Sequence, residues 1–228
     1  MKKVLFNILL CLIVVGFLIC GSLTFQSCET GDVYPSDTCT ICKDTIRRPA
    51  YKPNIYMYPP QNTSLKVTIF FPKGGTLITS VPSYNDGWII TVDATGRIDQ
   101  TYDYLFYESN QPNDWQQTSG WIIEADSLGL FFQTNMAAYG FDSREIKDFT
   151  DYWVPRLNKY RYYRIYPQEK SIIDNLIQVN YSVNPDYILR LFYAIKGTNE
   201  KLNIQNHTVI NNFKRDGFYV AEWGVIIE

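Results

Sequence analysis

The chain has 228 residues with 21 basic and 23 acidic side chains, a formal net charge of −2 and 46% hydrophobic residues. It carries no long basic run and no excess of positive charge, so a nucleic-acid partner is not expected. A single histidine argues against histidine-rich metal centres, and no phosphate-binding loop is present. We therefore expect no metal and no cofactor.

The first 27 residues predict export from the cytoplasm. Lys2 and Lys3 form a short positive start, and residues 4–25 contain no charged side chain. A basic start followed by an apolar stretch is the layout of a secretory signal. The positive charges keep the N-terminus in the cytoplasm, so the rest of the chain is expected on the extracytoplasmic side.

Two alternatives fit the end of this segment. Residues 23–28 resemble the cleavage site of bacterial lipoproteins, with small Ser27 directly before Cys28, although Phe25 and Gln26 depart from the usual residues. In that case Cys28 is the site of lipid attachment. Alternatively the segment is an uncleaved signal anchor, because its apolar run approaches the roughly 20 residues that span a bilayer. We favour the lipoprotein, and both alternatives attach the chain to a membrane.

Cleavage before Cys28 would leave 201 of the 228 residues, with 19 basic and 23 acidic side chains once Lys2 and Lys3 are removed. That length suits one domain. Residues 28–51 are polar, contain prolines and lack periodicity, so we interpret them as a tether. Cys39 and Cys42 lie within it, and a small local disulfide is favoured over a redox pair or half of a zinc site.

The folded domain is expected to cover residues 52–228. Short aromatic and β-branched runs alternate there with turn signals, which is typical of strands. The predicted strands are residues 54–58, 65–71, 76–80, 88–92, 97–107, 121–124, 162–166, 176–181, 187–195, 201–204 and 217–224.

The hydrophobic period changes to that of helices between residues 126 and 159. We expect Asp126-Ser127 to cap a first helix that ends at Gly140. Asp142 and Glu145 match a capping box for a second helix. Strands, an αα-hairpin at 126–159 and further strands predict an α+β domain with a mainly antiparallel sheet.

Five short strings resemble motifs of an uncharacterised family of bacterial secreted proteins and lipoproteins. They are Lys52-Pro53-Asn54-Ile55-Tyr56-Met57-Tyr58-Pro59, Pro82-Ser83-Tyr84-Asn85-Asp86-Gly87-Trp88, Tyr104-Leu105-Phe106-Tyr107-Glu108, Tyr152-Trp153-Val154-Pro155-Arg156, and Arg215-Asp216-Gly217-Phe218 with Glu222-Trp223-Gly224. The resemblance covers residues 52–224. It implies an envelope location and supplies no activity.

Four charged residues are candidates for a polar cluster. Glu108 and Glu222 lie in aromatic, strand-like runs, where an unpaired carboxylate is costly to bury. Arg156 and Arg190 are their expected partners. The cluster is either the acidic site of a hydrolase or an ion-pair network that fixes how the helical pair docks on the sheet. We favour the network.

Tyrosines are concentrated at Tyr160, Tyr162, Tyr163 and Tyr166, where two arginines are interleaved. Tyr and Arg are enriched at binding hot spots, so these rings are candidate binding aromatics. The alternative, which we favour, is that such rings fill the core. The only histidine, His207, lies in a polar stretch and is interpreted as an exposed loop residue rather than a catalytic base.

These observations together predict a membrane-anchored, extracytoplasmic α+β protein that acts as a binding or interaction module of the bacterial cell envelope. Its attachment would be a lipidated Cys28 or an uncleaved apolar helix, and its partner a glycan or a protein. The alternative is a carboxylate-dependent hydrolase of envelope or extracellular polymers. A purely structural envelope component is a third possibility.

Overall fold

Eleven strands and three α-helices make up residues 46–228, which are the residues that the computed structural model describes. In chain order the elements are β1 Arg47–Tyr58, β2 Thr63–Phe70, β3 Thr76–Val81, β4 Trp88–Val92, β5 Leu105–Pro112, β6 Ser119–Glu124, α1 Leu128–Tyr139, α2 Ser143–Trp153, β7 Tyr162–Glu169, α3 Lys170–Asp174, β8 Gln178–Tyr181, β9 Tyr187–Thr198, β10 Gln205–Asn206 and β11 Tyr219–Ile227. The predicted export segment, residues 28–45 of the predicted tether, and Cys28, Cys39 and Cys42 lie outside the described residues.

An eight-stranded sheet forms the centre of the fold, in the order β10-β6-β7-β9-β11-β1-β5-β3. A smaller sheet holds β4, β2 and β8. Neighbouring strands run antiparallel except for two parallel pairs, β9 with β11 and β6 with β10. The predicted α+β class is confirmed, and the segment between β9 and β11 supplies the crossover that a parallel pair requires.

The central sheet is covered on both faces. Successive side chains of a strand point to opposite sides, so each strand contributes to both. Leu191 and Tyr193 of β9 pack with α1 and α2, which defines the helix-side face. Phe192 and Ala194 pack with β2 and β4, which defines the small-sheet face. The domain therefore has three layers and two separate cores.

The helical pair follows its predicted positions. Gly140 ends α1 with a φ of 107°, a left-handed conformation that glycine adopts without steric cost. The capping box of α2 is complete, since the Asp142 side chain accepts from the backbone of Arg144 and Glu145. The predicted cap of α1 is confirmed in position, since Ser127 is the N-cap residue, but not in its hydrogen bond. Ser127 makes no capping hydrogen bond with its side chain, and a 3-10 turn at Ala125–Ser127 leads into the helix.

The fold begins five residues earlier than predicted, at Arg47 rather than near residue 52. Residues 47–50 pair with β5, so the end of the predicted tether is part of the sheet. Pro49 obscured this strand because it has no N–H to donate. It is tolerated because β11 pairs with β1 only from Tyr51 onward.

Other boundaries differ where segments are short. The predicted strand at 97–107 starts with isolated bridges of Ile98, and β5 begins only at Leu105. Helix α3 was not predicted, and it forms where fully buried Ile173 joins the small-sheet core. Only the two-residue β10 forms near the strand expected at 201–204. No helix within residues 46–228 is long and apolar enough to cross a membrane.

Candidate functional site

Strand β1 is interrupted by a bulge at Lys52. Its register shifts against β11 between Tyr51 and Asn54, and against β5 between Ala50 and Asn54. Lys52 has a φ of 51°, in the left-handed region that non-glycine residues rarely adopt. Bulges redirect side chains, and a strained backbone is retained where the surrounding structure holds it. This bulge turns the Lys52 side chain toward α2.

Four aromatic rings surround the Lys52 ammonium. The distances from Nζ to the ring centroids are 4.9 Å for Tyr152, 5.3 Å for Tyr104, 5.5 Å for Phe106 and 6.0 Å for Trp223. Ring faces at these distances attract a cation. Nζ also lies 3.5 Å from the Tyr104 hydroxyl. The rings therefore hold the ammonium in place while leaving most of its hydrogen-bonding capacity unused.

Lys52 lies between opposing electrostatic effects. Burial lowers the pKa of its ammonium below the ordinary 10.5, and nearby Arg156 acts in the same direction. Asp148 and Glu108 act against this shift. Among residues 46–228, neither Lys52 nor Glu108 belongs to an ion pair. The half-buried charges of Lys52 and Glu108 are therefore not neutralised by an ion-pair partner among these residues.

A cavity of 430 Å³ opens beside the ammonium. It lies on the helix-side face, between β5, the loop that precedes β5, and α2. The side chains that give it its chemistry are Lys52, Tyr102, Tyr104, Phe106, Glu108 and Tyr152. Its wall is therefore aromatic, with one charged donor and one charged acceptor.

Ion pairs hold the loop side of this cavity. Asp103 Oδ1 lies 2.6 Å from an Nη atom of Arg97 and 2.6 Å from one of Arg144 on α2. Asp103 also lines the cavity, but its charge is already satisfied by these two arginines. The loop that carries Tyr102 and Tyr104 is consequently tied to the helical layer.

Buried Tyr56 contacts residues on two sides of the cavity. Its hydroxyl donates to Asp148 Oδ2 of α2 at 2.9 Å, and its ring lies 5.1 Å from that of Tyr104. Burial is the main reason that the pKa of the Tyr56 hydroxyl is raised, so it remains a donor. The β1 strand, the loop and α2 are thereby linked behind the cavity wall.

The predicted polar cluster is divided between the two faces of the sheet. Glu222 is fully buried on the small-sheet face, where it accepts from Arg190 Nε and from the Tyr107 hydroxyl, the latter at 2.7 Å. Tyr107 and Glu108 are adjacent on β5, so Glu108 points to the other face. The expected Arg190–Glu222 pair is confirmed, but Glu108 and Glu222 do not share a site.

The Arg190–Glu222 pair does not dock the αα-hairpin, contrary to the prediction. Arg190 Nη1 donates instead to Asp174 Oδ1 of α3 and to the carbonyl oxygen of Ile177, both at 2.6 Å. The alternation along β9 places Arg190 on the face away from α1 and α2. The pair therefore stabilises the chain around α3 and β8.

Arg156 also departs from its predicted role. Its guanidinium lies 3.7 Å from the Tyr152 ring and donates to the Tyr152 carbonyl oxygen at 2.6 Å. It forms no ion pair with Glu108 or Glu222. Arg156 thus contacts the ring of an aromatic side chain that lines the cavity.

The predicted aromatic patch does not form one surface. Tyr163 and Tyr166 are 3% and 4% exposed and belong to different cores. Tyr160 is 44% exposed and packs against Tyr163, while Arg161 lies over Tyr162. The interpretation that these rings fill the core holds for Tyr163 and Tyr166, because alternation sends them to opposite faces.

His207 is not an exposed loop residue, contrary to our interpretation of the sequence. Its Nδ1 lies 3.1 Å from Ser119 Oγ and its Nε2 lies 3.0 Å from Glu169 Oε1. Its ring also packs edgewise against Trp121. The sequence could not show this, because these residues are far apart along the chain.

The sequence did not single out Lys52 as a site residue, although one signal was present. Four of the five strings that carry the family resemblance meet around the cavity. Their contributions are Lys52, the side chains of Tyr104, Phe106 and Glu108, those of Tyr152 and Arg156, and Trp223. These strings are separate in the sequence and adjacent in space.

Comparison of the chain with protein-family models, curated proteins and solved structures finds no match. The resemblance to secreted bacterial proteins therefore stays an expectation. Within residues 46–228, no group of three or more His, Cys, Asp or Glu side chains is placed to hold a metal ion.

Proposed function

We propose that the protein is a membrane-anchored, extracytoplasmic binding module of the bacterial cell envelope, and that it holds a saccharide unit in the Lys52 cavity. The observation that carries this proposal is the combination of an aromatic wall with an unpaired Lys52 and an unpaired Glu108. Ligand sites typically join apolar and aromatic walls to a few convergent polar groups.

A sugar matches this combination because it has apolar C–H faces and a rim of hydroxyl groups. The C–H faces pack on aromatic rings, which supply large contact areas. A hydroxyl group can accept a hydrogen bond from the Lys52 ammonium and donate one to the Glu108 carboxylate. Charge-assisted hydrogen bonds of this kind are stronger than neutral ones.

The cavity is also suited in size and rigidity. Its 430 Å³ lies within the range of about 300–1,000 Å³ that is common for small-ligand sites. The Lys52 bulge, the Asp103 ion pairs and the Tyr56–Asp148 hydrogen bond position the wall before a ligand arrives. Preorganisation of this kind lowers the cost of binding.

The hydrolase alternative is weaker because its two named carboxylates lie on opposite faces. A glycosidase needs two carboxyl groups across one cleft. Glu222 is enclosed by Arg190 and Tyr107, and Asp103 is engaged by two arginines. Glu108 alone remains free beside the cavity, which suits binding better than hydrolysis.

The test is a titration of the purified protein with N-acetylglucosamine oligomers, muropeptide fragments and uronic-acid oligomers. We expect one class to bind, and Lys52→Met to weaken that binding at least about tenfold, or about 1.4 kcal/mol. Lys201→Met is the matched control, because Lys201 is exposed and lies outside the cavity lining. Equal affinities of the wild type and Lys52→Met would contradict the proposal.

A further inference from the structure

A second chemical constellation lies away from the Lys52 cavity. Ser119 begins β6, Glu169 ends the adjacent β7, and His207 follows directly after β10. The imidazole joins the other two side chains, with Nδ1 3.1 Å from Ser119 Oγ and Nε2 3.0 Å from Glu169 Oε1. A hydroxyl, an imidazole and a carboxylate are thus connected in one hydrogen-bonded chain.

Hydrogen-bonding capacity assigns the tautomer of His207. The Glu169 carboxylate can only accept, so Nε2 carries the proton that is donated to it. Nδ1 is then left with a lone pair that accepts the Ser119 hydroxyl proton. This is the arrangement that activates a serine nucleophile, with the two ring nitrogens exchanged relative to the usual triad.

Tyr139 fixes the carboxylate end of this chain. Its hydroxyl donates to Glu169 Oε1 at 3.1 Å. Burial, followed by the nearby Glu169 charge, raises the pKa of the Tyr139 hydroxyl, so it keeps its proton and remains a donor. Two donors therefore meet at one carboxylate oxygen, and Glu169 positions the imidazole.

Backbone donors lie beside the serine. The N–H groups of Thr118 and Ser119 both donate to Gln116 Oε1, at 3.1 and 3.2 Å. The amide oxygen of Gln116 occupies these two donors, and Gln116 Nε2 donates to the carbonyl oxygens of Ser119 at 2.9 Å and Pro167 at 2.7 Å. The N–H of a nucleophilic serine and that of a neighbour are the usual donors to a developing oxyanion.

We propose that Ser119, His207 and Glu169 form an acyl-transfer site for carboxylic esters, with the N–H groups of residues 118 and 119 as oxyanion donors. Substrate entry requires the Gln116 side chain to rotate away from these donors. The His207 side chain is 19% exposed and Ser119 is half-buried, so neither residue is enclosed in the core. The site goes beyond the proposed binding function and does not depend on it.

The reaction balances without an added oxidant or reductant. Ser119 Oγ bonds to the ester carbonyl carbon while its proton moves to His207 Nδ1. The bond from this carbon to the alcohol oxygen then breaks, and the alcohol takes the proton from Nδ1. Water repeats the sequence on acyl-Ser119 and releases the carboxylic acid.

The test uses the full chain with a fluorophosphonate probe and with p-nitrophenyl acetate. We expect mass spectrometry to locate the phosphonate on Ser119 in preference to exposed Ser182. Ser119→Ala should abolish this adduct, and His207→Gln should slow its formation at least about 100-fold, because a general base contributes that much or more. Ester hydrolysis should fall in parallel.

Two readouts separate chemistry from folding. Thermal unfolding of both variants should remain cooperative, and the labelling rate of the wild type is measured as a function of pH. Glu169→Gln should change this pH profile, which a purely structural contact would not do. The absence of an adduct at Ser119, or wild-type labelling in a folded His207→Gln protein, would overturn the proposal.

Discussion

Two charged sites lie on opposite faces of the central sheet and differ in how their charges are satisfied. Glu222 and Arg190 are almost completely buried, and Tyr107, Asp174 and a backbone carbonyl bond to them, although Arg190 Nη2 has no hydrogen-bond partner among the described residues. Lys52 is half-buried beside an open cavity and has aromatic rings but no ion-pair partner among the described residues. Burial alone therefore does not distinguish a charge that stabilises the fold from one that is available to a ligand. The presence or absence of an ion-pair partner does.

The largest expected effect comes from breaking the buried ion pair between Arg190 and Glu222. Glu222→Gln removes the charge that compensates Arg190, and we expect the free energy of unfolding in urea to fall by about 3 kcal/mol, since a buried charge is left without its partner. The double variant Arg190→Met with Glu222→Leu should recover part of this loss. A loss below about 1 kcal/mol, the usual value for exposed pairs, would show that the site is less enclosed than its geometry indicates.

A smaller effect is expected from the backbone at Lys52. Lys52→Gly should be more stable than Lys52→Ala by about 1 kcal/mol, because only glycine adopts a φ near 51° without steric cost. Both variants lose the same ammonium, so their difference isolates the backbone term. Equal unfolding free energies would mean that the bulge relaxes when the side chain is removed. A measured difference would show that the backbone at Lys52 is strained, in contrast to the Arg190–Glu222 pair, which stabilises the fold.

The smallest expected effect is a dependence of saccharide affinity on pH, which comes from the Lys52 ammonium beside the cavity. The pKa of Lys52 is lowered, so its ammonium loses its proton below the ordinary 10.5. Saccharide affinity should therefore decline with rising pH before pH 10.5 is reached. Lys52→Arg should keep a level affinity over the same range, because guanidinium does not titrate there. Titration calorimetry between pH 8 and pH 10.5 makes the measurement, and parallel profiles for both proteins would contradict the assignment.

The linkage to stability has a defined sign. A lysine with a lowered folded-state pKa holds its proton less tightly in the folded protein than in the unfolded chain. Its charge therefore opposes folding at neutral pH, and that opposition disappears once the pH exceeds 10.5. Replacement by uncharged Met should remove this component of the pH dependence, which stability curves of the wild type and Lys52→Met would compare directly.

Much of the fold could be predicted because it depends on local pattern. The aromatic and β-branched runs of β9 and β11, the helical spacing of residues 128–153 and the Asp142–Glu145 capping box each lie within a short stretch of sequence. The start of β1 could not be predicted, because Pro49 opposes a strand locally and only pairing with β5 compensates.

The candidate sites were harder to predict than the elements that carry them. Lys52 reaches its cavity through a bulge in β1, and this bulge depends on how β1 pairs with β11 and β5 rather than on β1 alone. His207 meets Ser119 and Glu169 only because β10 joins the edge of the sheet beside β6. For Lys52 the only signal in the sequence is the set of strings that carry the family resemblance, and for His207 the sequence near it carries none.

The sequence by itself determined the secondary-structure class and the helical pair, since these follow from periodicity, whereas the cost of unpaired charge indicated a polar cluster without identifying its buried members. The tertiary structure alone decided which face each charge occupies. A shift of one position along a strand moves a side chain to the opposite face, and no local pattern identifies which face meets the helices. This alternation places Glu222 in the small-sheet core and Glu108 beside the cavity on the opposite face.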